Sequence, residues 1–168
     1  MGFSGTFLVA RSDRPLTELA AVRAWEAVPV WWARDGDWQL LRAYPLSDPP
    51  SSLLQETSAP VLVAHVVDSD FATIQAATAD GTSWQCVLSP ETARGYGLPE
   101  EWIVDPAQAA ERATAWSRQC GVVPDPTALR SALTTESDPL AEDLVLTFVD
   151  ALGFRFGDGA DLEVALNE

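Results

Sequence analysis

The chain predicts a single α+β domain: a mainly antiparallel sheet of about five to six strands in the N-terminal half, with a cluster of about three helices from the C-terminal half packed against it. Three observations carry this. Runs rich in β-branched and aromatic residues recur up to residue 88, and two of the gaps between them hold Asp-Gly, a hairpin signal. Beyond Pro90 the composition turns alanine-rich and acidic, and the apolar period lengthens from two to three or four. The 168 residues suit one domain, which at this size buries roughly 70% of the surface its unfolded chain exposes and needs no covalent staple. Within the unit 1–168, residues 1–89 are expected to be mainly sheet-forming, 90–155 mainly helical and 156–168 an acidic tail.

Residues 5–11 form the first expected strand. Ser12-Asp13-Arg14-Pro15 then offers an N-cap and an early proline to a helix through Leu16, Leu19 and Ala20. Strands at 28–34 and 38–44 flank Asp35-Gly36-Asp37, a tight-turn signature. Pro45, Pro49 and Pro50 shape the next connection, and 51–57 suits one or two helical turns. Strands follow at 61–67, 71–78 and 83–88. The first is almost continuously apolar, as in a strand covered on both faces. Asp68-Ser69-Asp70 reads as a tight turn or as a bulge in one bent strand.

Three Asp-Pro pairs punctuate the helical half. Asp105-Pro106 opens a helix with Ala109, Ala113, Trp116 and Cys120 on one face and Gly121 at its end. Asp125-Pro126 opens a shorter one through Leu129 and Leu133. Asp138-Pro139 opens a third, with Leu140, Leu144, Val145, Phe148 and Leu152 as its stripe and Gly153 as its stop. Residues 90–104 are the nearest approach to a boundary.

Charge narrows the function. The net charge is −15, from 25 acids against 10 bases, all of them arginine. No nucleic-acid groove is expected, because such grooves cluster positive charge against phosphate; an anionic membrane surface is disfavoured on the same grounds. No segment approaches the roughly 18–20 apolar residues of a membrane span. Two cysteines without metal-ligand spacing suggest reduced thiols in a cytoplasmic protein, with no metal and no cofactor expected. Met1-Gly2-Phe3-Ser4-Gly5-Thr6 matches a short myristoylation pattern, outweighed by the strand that starts at Gly5 and by an arginine-only, alanine-rich composition that suggests a bacterial source. The acidity is concentrated: residues 100–168 hold 14 acids and 4 arginines, residues 1–99 hold 11 and 6.

Several groups of residues are candidates for chemistry. His65 with Asp68 and Asp70 combines an imidazole with two carboxylates, although in a regular strand His65 faces away from both acids. Cys86 on a neighbouring strand would add a thiol to the same pocket, but nothing nearby lowers its pKa, and a buried cysteine is commonly an apolar filler. The sequence offers no catalytic motif, and no catalytic residue is assigned. The segment 157–163 carries glycines and carboxylates without the ligand order of a calcium loop, and reads as a solvated tail.

Two surfaces point instead to a partner. Of seven tryptophans, Trp25, Trp31, Trp32 and Trp38 crowd the first hairpin. Trp31 and Trp32 must face opposite ways, so one of them, with Trp38 across the turn, would lie on a second surface unless helices cover both faces. On the third C-terminal helix, Leu146 falls among Glu142, Asp143 and Asp150, opposite the buried stripe: an apolar anchor in an acidic rim. The sequence thus favours a non-enzymatic acidic binding protein engaging a basic protein partner, an immunity-like inhibitor or regulator being one form, and acting as a monomer or weak homo-oligomer. The alternative is a small-molecule-binding domain or small enzyme with a pocket near His65 between sheet and helices.

Overall fold

A computed structural model describes residues 2–58, 60–78, 80–136 and 140–162. Seven antiparallel strands form one sheet in the order β6-β5-β4-β1-β3-β2-β7. The strands are β1 (Gly5–Arg11), β2 (Val28–Asp35), β3 (Trp38–Tyr44), β4 (Val61–Val67), β5 (Phe71–Ala77), β6 (Ser83–Leu88) and β7 (Ala160–Asp161). Six helices accompany them: α1 (Ala20–Arg23), α2 (Ser52–Thr57), α3 (Pro90–Gly95), α4 (Pro106–Gln119), α5 (Pro126–Thr134) and α6 (Ala141–Leu152). Single 3-10 turns occupy Leu16–Glu18 and Glu100–Trp102.

Alternation along the strands decides what lies where. On β4, Leu62, Ala64 and Val66 are fully buried, while Val63, His65 and Val67 on the opposite face are only half-buried. The first set joins the main core beneath α4, α5 and α6, with Phe7, Trp38, Ile74, Trp116 and Phe148 among its members. The second face carries a separate core of Leu8, Leu16, Val22, Trp25, Leu41 and Leu53 under α1 and α2. A third, smaller cluster of Phe71, Val87 and Ala93 lies under α3. Helices therefore cover both faces of the sheet rather than one face or end, because the short N-terminal helices bury the side that the C-terminal helices leave open.

Local chemistry explains most boundaries. Asp105 and Asp125 cap α4 and α5, their carboxylates accepting from the Gln108 and Ala128 amides, with proline next in line. The expected Asp138-Pro139 start lies outside the described residues; α6 is seen from Ala141 and ends at Gly153, whose φ of 113° is a left-handed helix stop. Asp68 and Ser69 have φ of 51° and 59°, and the Asp70 amide donates to the Val67 carbonyl at 2.9 Å, so the triplet is a tight primed turn and not a bulge. In the first hairpin the positive φ falls on Gly36, and Asp35 pairs with Trp38, so the two loop residues are Gly36 and Asp37.

Two expectations change, the first helix and the tail. The helix expected from Pro15 is a 3-10 turn followed by the four-residue α1, the two separated by Leu19 in an extended conformation (φ −71°, ψ 141°), and the Leu16 amide donates to the Gln39 side chain at 2.8 Å. Within 90–104, Leu98, Trp102 and Ile103 pack on the α3 cluster. The tail is in part a strand: Ala160 and Asp161 pair with Trp32 and Trp31.

Candidate functional site

His65 does not meet Asp68, Asp70 or Cys86. Its ring lies between Thr6 Oγ1, 2.9 Å from Nδ1, and Asp48 Oδ1, 2.6 Å from Nε2. Thr6 is its cross-strand partner on β1, and Asp48 arrives from the proline-rich connection, which folds back over the sheet. Both ring nitrogens are thus occupied. The imidazole ties a loop to a strand.

The other members of that constellation have structural duties. Asp68 accepts from the Gly2 amide at 2.7 Å, and Asp70 accepts from the Tyr96 hydroxyl. That hydrogen bond, with burial and nearby carboxylate charge, pushes the Tyr96 phenol up to about 12. Cys86 faces the main core, where burial pushes its thiol far above the usual range; burial likewise raises Cys120 to about 12. A thiol so placed is an apolar filler, not a nucleophile. Among the described residues no group of three or more metal-ligating side chains occurs, and no helix is long and apolar enough to cross a membrane.

The tryptophan hairpin divides its side chains between the two faces. Trp38 belongs to the core, its ring edge-to-face with Trp116 at 6.3 Å and with Phe154 at 5.1 Å; it lies on no second surface, because α4 and the 154–156 segment cover it. Trp32 packs against the second core and donates its indole hydrogen to Gln39 Oε1 at 2.9 Å. Trp31 packs partly against the main core and borders a concavity.

That concavity, about 460 Å³, lies between β2, α6 and the 154–159 segment. Trp31, Leu146, Val149, Phe156, Asp150 and Asp158 line it. Two of the surfaces expected from sequence, the hairpin and the acidic face of α6, therefore converge on one groove. Leu146 is 39% exposed at its rim. Asp150 is exposed and paired with Arg155 at 3.2 Å, while Asp158 has no ion-pair partner among the described residues. Asp143 is exposed on the same helix.

Glu142 is not part of this rim. It is 6% exposed, and its Oε2 accepts the Ser69 hydroxyl hydrogen at 2.9 Å. The first turn of α6 is pinned to the β4–β5 turn, as the Ala141 amide donates to the Ser69 carbonyl at 2.8 Å. Helical periodicity alone could not show that the sheet turn reaches this side of α6.

Sequence reasoning missed the floor that 157–161 gives the groove. Gly159 lies against the Trp31 indole so closely that a Cβ there would come within 2.0 Å of Cζ2. The glycines of that segment were the available signal. Fold and groove together define a single-sheet α+β protein with an aromatic groove bordered by carboxylates. Comparison with protein-family models, curated proteins and solved structures gave no match.

Proposed function

We propose that this chain is a non-enzymatic binding protein of the cytoplasm that engages a basic segment of a protein partner in the groove between β2 and α6. The convergence of Trp31, Leu146, Asp150 and Asp158 on that groove carries the reading. An indole face beside carboxylates suits a guanidinium or ammonium group, a cation–π contact contributing about 0.5–2 kcal/mol depending on desolvation. Leu146 supplies an apolar anchor inside a charged rim. The net charge of −15 would steer a basic partner toward encounter. An inhibitor or regulator of a basic enzyme fits this chemistry.

Affinity capture from a cell lysate with the intact protein, beside Leu146→Asp and Asp150→Arg variants, tests the proposal. A basic protein should be retained at low salt, released at high salt, and lost from both variants. A partner held equally by all three proteins, or no specific partner at all, would overturn it.

A further inference from the structure

A second concavity, about 660 Å³, lies on the opposite face of the sheet, over β4, β5 and β6 beyond the edge of α2. Its floor follows from strand register. Val61 pairs with Ala77 and Val63 with Gln75 across β4–β5, and Gln75 pairs with Gln85 and Ala77 with Ser83 across β5–β6. Directly paired residues share a face, so these six form one patch two residues deep and three strands wide, roughly 10 Å across at the usual strand spacing. Leu53 and Leu54 form an apolar wall on the α2 side.

The polar groups are few and placed unequally. Gln75 and Gln85 are directly opposite one another and half-buried, and their side-chain amides hydrogen-bond to no other described residue. Arg112 lines the concavity from α4, a helix packed against β6, and has no carboxylate partner among the described residues. Asp48 stands at the β4 side, held by His65 at 2.6 Å. An anion is thus repelled from the β4 end and attracted at the β6 end, where a guanidinium and two amides offer donors. Both amides keep donors open to the concavity, where water or a ligand can accept from them.

We infer that this concavity binds a small carboxylate-bearing molecule with an apolar body, the carboxylate held by Arg112, Gln75 and Gln85 and the apolar part lying on Val61, Val63, Leu53 and Leu54. A volume of this size, mostly apolar with a few convergent polar groups, falls in the range of small-ligand sites. The six-residue floor is on the face of the sheet away from the Trp31 groove, while Arg112 enters from α4 on the other face, at the edge strand β6; the inference stands independently of the proposed partner.

Calorimetric titration of the intact protein with decanoate, 1-decanol and decyltrimethylammonium tests the inference. Decanoate should bind with one-to-one stoichiometry, at least tenfold tighter than 1-decanol, with the ammonium compound weakest. Arg112→Gln, at an exposed helix position and checked for unchanged circular dichroism, should reduce decanoate affinity to that of 1-decanol while leaving 1-decanol unaffected. Gln75→Leu with Gln85→Leu should likewise lower the decanoate preference. Absence of decanoate binding, equal affinity for the three probes, preference for the cation, or full discrimination retained in Arg112→Gln would overturn it.

Discussion

Gly159 lies against the indole of Trp31, so close that any side chain at 159 would enter the ring plane, within 2.0 Å of Cζ2. β7 can pair with β2 only while that position lacks a Cβ. Gly159→Ala should therefore separate the 157–161 segment from Trp31 and open the floor of the groove, with little change in global stability because β7 is only two residues long. Faster hydrogen exchange of the Leu162 amide, which bonds the Val30 carbonyl at 3.0 Å, would report the separation. Unchanged protection would show that the contact does not hold β7 in place.

The Ser69 hydroxyl joins the β4–β5 turn to α6. Removing it strands a nearly buried carboxylate, and the loss of one partner of such a group costs about 1–3 kcal/mol. Ser69→Ala should lower the unfolding free energy by that amount, seen as a lower urea midpoint at unchanged slope, and Glu142→Ala combined with it should cost less than the two single changes added together. Strict additivity would mean that the two groups do not act as a pair.

Both thiols should be inert in the native protein. Their folded pKa values are raised by burial, Cys120 to about 12 and Cys86 further, so the folded state holds these protons more tightly than the unfolded state does. Their contribution to stability is complete below the ordinary thiol pKa of 9.0 and is lost as pH rises from there through the folded values. A disulfide reagent at pH 8 should label neither cysteine until denaturant is added, and the urea midpoint should fall above pH 9. Rapid stoichiometric labelling of the native protein would contradict the burial of these groups.

Phe148, fully buried under the sheet in the main core, sets the attachment of α6. Phe148→Ala should destabilise the fold by about 3–5 kcal/mol through lost burial and a residual cavity. A change under about 1 kcal/mol, the size of a surface effect, would mean that α6 is loosely attached.

Strand positions were legible in the sequence because residue preference and turn residues act locally, β4 showing as an almost continuous apolar run between turn signals. The α4 and α5 starts were legible for the same reason, Asp-Pro combining a cap with a preset φ. What was not legible is tertiary. Nothing local indicates that Asp48 folds back to His65, that Ser69 reaches Glu142, or that a glycine-bearing tail returns to become a seventh strand. Trp31 and Leu146 could each be named as candidates from residue type and periodicity, while their meeting in one groove depends on the packing of α6 beside β2. Trp38 shows the converse, since an aromatic residue at a hairpin looks the same in sequence whether a helix covers it or not.

The most direct test of the partner-binding reading is nuclear magnetic resonance titration of the intact protein with a capped Arg-Leu-Arg tripeptide, beside a capped Glu-Leu-Glu control. The expected result is saturable shifts at the Trp31 indole, the Leu146 methyls and the Gly159 amide with the basic peptide only, reduced in Asp150→Arg. Absence of shifts at these positions, equal shifts with the acidic peptide, or shifts confined to another face would contradict the account.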